Sequence, residues 1–187
     1  MPSVLIINGS PHADGPTAAM LGAFRENLGL PVKQFACFAE NPIPCDDCRA
    51  CHRDGRCDKR DLDGFYADFE EADLLVFASP VYNRSYPAPM KAALDRLQRY
   101  WAMRFKLGIR PPIQKPKSAV MFTASGSGRD KDGEQLETQL RPQLTVLNTH
   151  LVVCVHAMRC DEGLEQRFLD AAASAGILAK GLLGENV

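Results

Sequence analysis

The chain has 187 residues, 45% of them hydrophobic and 24% charged, with a formal net charge of -1. That supplies one domain with a full apolar core, and it excludes bulk disorder and the cationic surface that nonspecific nucleic-acid binding needs. No apolar run approaches a membrane span, and Met1-Pro2-Ser3 carries neither the basic segment nor the cleavage site of a signal peptide, so no membrane and a cytoplasmic location are expected.

Val4-Leu5-Ile6-Ile7, bounded by Asn8-Gly9, reads as a strand buried on both faces. The first helix follows, with Met20, Phe24 and Leu28 on one face. Val32 to Phe38 is a weaker strand. Glu40 to Asp61 is too long for an ordinary connection and carries four cysteines, which argues against disorder. Leu74 to Ala78 is the next buried strand. A helix carrying Met90, Leu94, Leu97 and Trp101 on one core-facing stripe comes next, started by Pro87 or Pro89. After a Pro-rich loop, Leu107 to Lys117, come the strand Ala119 to Phe122 and a helix marked by Leu136, Leu140 and Leu147, kinked or interrupted at Pro142. The strand Leu151 to Val155 and a helix from Leu164 to Leu182 close the chain.

Strands alternating with helices imply a parallel sheet covered on both faces. Five strands with four or five helices fit an α/β, flavodoxin-like doubly wound sheet of order 2-1-3-4-5. The expectation is one domain over 1–187 with a cysteine-rich insertion at about 40–61.

In such sheets ligands bind beyond the carboxyl ends of the strands. Asn8-Gly9-Ser10-Pro11-His12-Ala13-Asp14-Gly15-Pro16-Thr17 runs from the first strand into the first helix, whose N-terminus suits a phosphate. Ser10, Thr17 and His12 are side-chain donors, and Pro16 fits the first turn. A plain turn capped by Thr17 or Asp14 is the bland alternative. The loop ends in neither a Walker pattern nor G-x-G-x-x-G. Ser79-Pro80-Val81-Tyr82-Asn83 and Thr123-Ala124-Ser125-Gly126-Ser127-Gly128-Arg129 follow the next two inner strands. The first offers backbone amides and an aromatic ring, the second small residues that admit close backbone approach.

Cys45, Cys48, Cys51 and Cys57 are spaced C-x2-C-x2-C-x5-C. Four thiolates satisfy a [4Fe–4S] cluster; Cys45, Cys48, His52 and Cys57 would satisfy zinc; free thiols are the third reading. Cys37, Cys154 and Cys160 read as core or near-core thiols. Charge is uneven: Asp58 to Asp73 carries seven acids against two bases, and Arg96 to Lys117 carries seven bases and no acid. Both read as solvated surface, or the basic stretch as a contact with an anionic cofactor or a second subunit. His52, His150 and His156 have no evident partner, and no pair of side chains is marked as acid and base.

Gly9-Ser10-Pro11 with Thr17, the four cysteines, Ala72-Asp73, Ser79-Pro80-Val81-Tyr82, Lys91 and Asp95-Arg96 together resemble the NADPH-dependent FMN reductase group, and within it the iron–sulfur flavoproteins. The resemblance covers roughly residues 3 to 130. It implies an FMN whose phosphate sits on Ser10, His12, Thr17 and Ala18, with Pro16 in the same loop, and whose ring rests against Pro80, Val81, Tyr82 and Asn83 and against Thr123, Ser125, Gly126 and Gly128. His12 and Pro16 depart from the Arg and Asn usual there, each at the loss of a phosphate donor. The expected function is electron transfer between FMN and a [4Fe–4S] cluster on the four cysteines. An NAD(P)H-dependent FMN or quinone reductase without metal, or a zinc-stabilised binding module, are the alternatives. The expected partners are a small-molecule or protein electron donor or acceptor and, by the same resemblance, further copies of the chain in a homodimer or homotetramer.

Overall fold

A computed structural model describes residues 2–129 and 131–184. In chain order its elements are β1 (Val4–Asn8), α1 (Pro16–Leu28), β2 (Lys33–Ala36), α2 (Cys37–Glu40), α3 (Cys51–Asp54), α4 (Asp63–Glu71) and β3 (Leu74–Pro80). There follow α5 (Ala88–Arg96), α6 (Gln98–Phe105), β4 (Lys117–Ala124), α7 (Lys131–Val146), β5 (Thr149–Ala157), a single 3-10 turn (Cys160–Glu162) and α8 (Gln166–Gly184). The five strands pair in parallel in the order β2-β1-β3-β4-β5. The expected flavodoxin-like order is therefore observed, and its reversal point lies between β1 and β3.

Successive side chains leave a strand on opposite faces, so each apolar run supplies two cores. Leu5, Ile7, Leu75, Phe77, Ala119 and Met121 pack with Phe65, Phe69, Met90, Leu94, Leu136 and Leu140 of α4, α5 and α7. Val4, Ile6, Leu74, Val76, Val120 and Phe122 pack with Met20, Phe24, Phe168 and Ala172 of α1 and α8. Phe24 and Phe122 meet edge to face at 5.5 Å. Each such side chain, fully removed from water, stabilises the fold by about 1.5–3 kcal/mol.

Several boundaries differ from the sequence reading. The weak strand is regular only over Lys33–Ala36, because Cys37 turns into the core and starts α2. The Met90–Trp101 stripe is two helices, broken at Leu97, whose amide donates to the Leu94 carbonyl. Met90 is buried, but Trp101 sits half-buried at the edge against Phe105 and near His52. α7 continues through Pro142. Pro142 and Thr138, whose carbonyl loses its helical donor, both lie on the exposed face, where solvent can reach that carbonyl. No described helix is long and apolar enough to cross a membrane.

Candidate functional site

The carboxyl ends of β1, β3, β4 and β5 form a continuous rim, zipped by backbone bonds. The Gly9 amide donates to the Ala78 carbonyl (2.8 Å), Val81 to Ala124 (2.8 Å) and Ser125 to Ala157 (2.9 Å). Gly9 is a close approach rather than a turn: a Cβ there would overlap Met90 Sδ. The loop thereby rests directly on α5.

The helix cap is neither Thr17 nor Asp14. Gly15 occupies that position with extended backbone and no side-chain bond to α1, and Pro16 opens the first turn. Ala19 donates to the Gly15 carbonyl, but the Thr17 and Ala18 amides have no acceptor among the described residues. These two orphan donors lie at the positive end of a 13-residue helix. Ser10, in the same loop, is held with its amide on Asn8 Oδ1 (2.9 Å) and its hydroxyl accepting from the His12 amide (3.2 Å). The donor set fits a phosphate; His12 and Asp14 are both exposed.

After β3, Tyr82 and Ser85 bond each other reciprocally across Asn83 and Arg84, both in the left-handed region (φ 50 and 60). That tight turn presents Tyr82 with 41% of its surface exposed. Arg84 Nε reaches Asp132 Oδ1 at 3.6 Å, tying the turn to the start of α7.

After β4 the candidates divide. Thr123 is wholly buried, with its hydroxyl 2.8 Å from His156 Nδ1. Ser125 is buried and bonded to Ser127, which donates to Asp132. Gly126 and Gly128 make room for the chain itself: a Cβ at Gly126 would strike the Asp161 carboxylate, and one at Gly128 would lie 3.0 Å from Arg159 Nε. The loop after β5, carrying Arg159 and Asp161, is thus a fourth part of the rim. The sequence reading missed it because nothing in its spacing marks it. His156 does have partners, Thr123 and, at Nε2, Glu137 Oε2 (2.8 Å).

The cysteine excursion lies on the α5–α6 side. Cys45 and Cys48 are exposed, Cys51 and Cys57 half-buried, and all four line one recess. Burial, then Cys57 and more weakly Cys45 and Cys48, raise the Cys51 thiol above its ordinary pKa, so the four are electrostatic neighbours. Their sulfurs nevertheless are not tightly bunched. The set of Cys, His, Asp and Glu ligand atoms lying within 4.8 Å of one another, among the described residues, is at Glu137, Cys154 and His156 instead.

Two arginines of the basic stretch hold this excursion. Arg96, 2% exposed, donates from Nη1 to the Ile43 carbonyl (2.7 Å) and from Nη2 to the Lys59 carbonyl (2.8 Å), and pairs with Asp61 (3.0 Å). Arg99 donates to the Gly55 carbonyl (2.9 Å) and lies over the Tyr66 ring. Lys117 is buried on the carbonyls of Glu70 and Ala72. For these residues the solvated-surface reading is corrected: their charge satisfies backbone carbonyls inside the molecule. Within the acidic run Asp61 pairs with Arg96, Asp63 with Arg60, Asp68 with Lys33 and Asp73 with Lys115.

α5 touches both regions. Met90 supports Gly9, and Arg96, six residues or about 9 Å further along the axis, anchors the cysteine loop.

An open parallel sheet with an uncapped α1 at its reversal point is the flavodoxin-like arrangement for a phosphate-bearing ligand. The family model described as NADPH-dependent FMN reductase matches residues 2–161, and the chain belongs to that family. It is 30% identical over 130 residues to an iron-sulfur flavoprotein of Archaeoglobus fulgidus, covering 67% of this chain and 56% of that protein. It is 30% identical over 129 residues to an FMN-dependent NADH:quinone oxidoreductase of Exiguobacterium sp., covering 66% and 61%. The chain thus spans less than two thirds of the length of either. Its fold matches that of an NAD(P)H:quinone oxidoreductase from Methanothermobacter marburgensis with a TM-score of 0.75 at 18% identity, over 94% of both chains.

Proposed function

We propose that this chain is an FMN-dependent oxidoreductase that takes electrons from NAD(P)H and passes them to a small-molecule or protein acceptor. The observation that carries this is the N-terminus of α1, which has no side-chain cap and leaves the Thr17 and Ala18 amides unpartnered, with the Ser10 hydroxyl in the loop that leads into it. Those groups, with the Thr17 hydroxyl and His12, would hold the phosphate, while Pro16 fixes the backbone of the first turn. Pro80, Val81, Asn83 and the exposed Tyr82 would meet the flavin ring. Because the Thr123 and Ser125 side chains are engaged internally, that loop would meet the ring through its backbone, and Gly126 and Gly128 would serve by admitting Asp161 and Arg159. When bound, FMN supplies the interchange of one- and two-electron chemistry; the protein positions and tunes it.

We further propose a [4Fe–4S] cluster on Cys45, Cys48, Cys51 and Cys57. Four thiols lining one recess supply its ligand set. The likeness to an iron-sulfur flavoprotein supports the same reading. A second reading, an FMN-dependent reductase without metal, is favoured by the similar likeness to an NADH:quinone oxidoreductase.

Phe105, 49% exposed against Trp101, and Ile109, 39% exposed four residues on, support assembly into a homodimer or homotetramer. Deletion of residues 104–112 would then shift the size-exclusion profile to smaller species.

Purification without oxygen, followed by absorbance, flavin, iron and sulfide analysis, separates the readings. Flavin bands with a broad iron–sulfur absorption and equal iron and sulfide support the cluster. Flavin bands alone support the metal-free reductase. Failure to bind FMN offered in excess overturns both.

A further inference from the structure

β5 and α7 bring three different ligand types together on the α7 face of the sheet, next to the rim and away from the cysteine recess. Cys154 and His156 are two apart on β5 and therefore share a face. Glu137 lies one turn after Gly133 on α7, where the lack of a side chain lets the helix press close to the sheet. A Cβ there would stand 2.5 Å from Thr123 Oγ1 and 2.7 Å from His156 Cβ. The result is that Cys154 Sγ, a ring nitrogen of His156 and a carboxylate oxygen of Glu137 all lie within 4.8 Å of one another. The His156 and Glu137 side chains are only 17% and 19% exposed.

We propose that Glu137, Cys154 and His156 form a binding site for a zinc-class divalent cation. One sulfur, one imidazole nitrogen and one carboxylate oxygen, with a fourth position left for water, make the three-ligand open pattern of a reactive rather than a structural zinc site. The softness of the set selects zinc or cobalt over magnesium or calcium. The supporting shell is already in place. Thr123 Oγ1 sits 2.8 Å from His156 Nδ1 and directs Nε2 to Glu137. Arg141 donates to Glu137 Oε1, leaving Oε2 to face the histidine. Hydrogen-bonded outer partners of this kind orient metal ligands. On binding, the Cys154 thiol proton leaves to solvent. The ring adopts the tautomer with Nδ1–H donating to Thr123, whose hydroxyl serves equally as acceptor.

The test is zinc titration of the full chain against a competing chromophoric chelator, with cobalt absorption as a second readout, in a variant with Cys45, Cys48, Cys51 and Cys57 all replaced by Ser. One equivalent of zinc and a thiolate-to-cobalt charge-transfer band are expected. Adding Cys154→Ser or His156→Gln abolishes the band and weakens zinc at least about 100-fold, and Thr123→Val weakens it about 10-fold to 100-fold. A folded four-serine variant that binds no zinc, or binding that Cys154→Ser and His156→Gln leave unchanged, overturns the proposal. If the four-serine variant does not fold, Cys154→Ser in the otherwise native chain is read instead. Loss of one zinc equivalent supports the site, and unchanged stoichiometry overturns it.

Discussion

The Arg96 guanidinium and the Asp61 carboxylate meet at 3.0 Å, with 1% of the arginine side chain exposed and 25% of the aspartate. The same guanidinium donates to the carbonyls of Ile43 and Lys59. These flank the first and last of the four loop cysteines, so one side chain on α5 closes the base of the whole excursion.

Arg96→Ala therefore removes three acceptors' partner at once. The expected loss is about 3 kcal/mol, since Asp61 and two carbonyls stay behind without their cation. Arg96→Lys recovers little, because an ammonium cannot fork to two carbonyls and a carboxylate. Urea unfolding measures the stability. Iron content after anaerobic reconstitution reads the recess separately, and it should fall while FMN binding persists.

Thr17 and the Gly9–Met90 contact act on the other site. Thr17→Val should weaken FMN about 10-fold to 100-fold, the range for a lost hydrogen bond to a charged group. Gly9→Ala should cost about 1–3 kcal/mol through overpacking on Met90. Flavin fluorescence quenching on binding and urea midpoints give the two quantities. Full-strength FMN binding by Thr17→Val would remove the hydroxyl from the phosphate set.

Gly176 tests helix packing against propensity. In the middle of α8, alanine is preferred over glycine by about 1 kcal/mol. Here a Cβ would stand 2.5 Å from the Phe24 carbonyl oxygen of α1, and backbone cannot give way as a side chain can. Gly176→Ala should thus destabilise the fold by about 1–3 kcal/mol. Gly181→Ala in the same helix, which meets nothing within 4 Å, should stabilise it slightly.

Asp73 sets part of the acid limit. Burial pushes its pKa up, but Lys115 at 2.7 Å and the Ser3 amide at 2.8 Å outweigh that and hold it below the ordinary carboxylate value. A depressed folded pKa gives stability that is complete above the unfolded value, about 3.9, and lost as pH falls through the folded one. Lys117 has its pKa lowered to about 8 by burial and then by Lys115. Between pH 8 and its ordinary 10.5 the unfolded chain holds a proton that the folded chain has released, so this residue makes stability rise with pH there. Urea midpoints from pH 3 to 10, compared with Asp73→Asn and Lys117→Met, should show each variant flattening its own end of the profile.

Much of the fold was legible because it rests on local patterns. Continuous apolar runs such as Leu74 to Ala78, alternating with helical patterns, read as strands covered on both faces, and right-handed crossovers then leave few orders for five of them. The turn into α1 was legible from its place after β1, and the gathering of the four cysteines from their spacing. The break at Leu97 and the half-buried place of Trp101 at the edge were not, since a helical stripe does not record where a second helix begins. Nor did the basic stretch disclose that Arg96, Arg99 and Lys117 turn inward, because a charge signals burial only once its acceptors are in place.

The order of residues alone determined the strands, the alternating cores and the four thiols, since each depends on neighbours a few positions apart. Tertiary structure decided what spans long separations. Arg96 reaches a carbonyl 53 residues away, Gly126 and Gly128 serve the loop after β5, and Glu137, Cys154 and His156 converge where helix and strand periods coincide. Such contacts exist only after the layers have packed, because packing sets which faces meet and how closely.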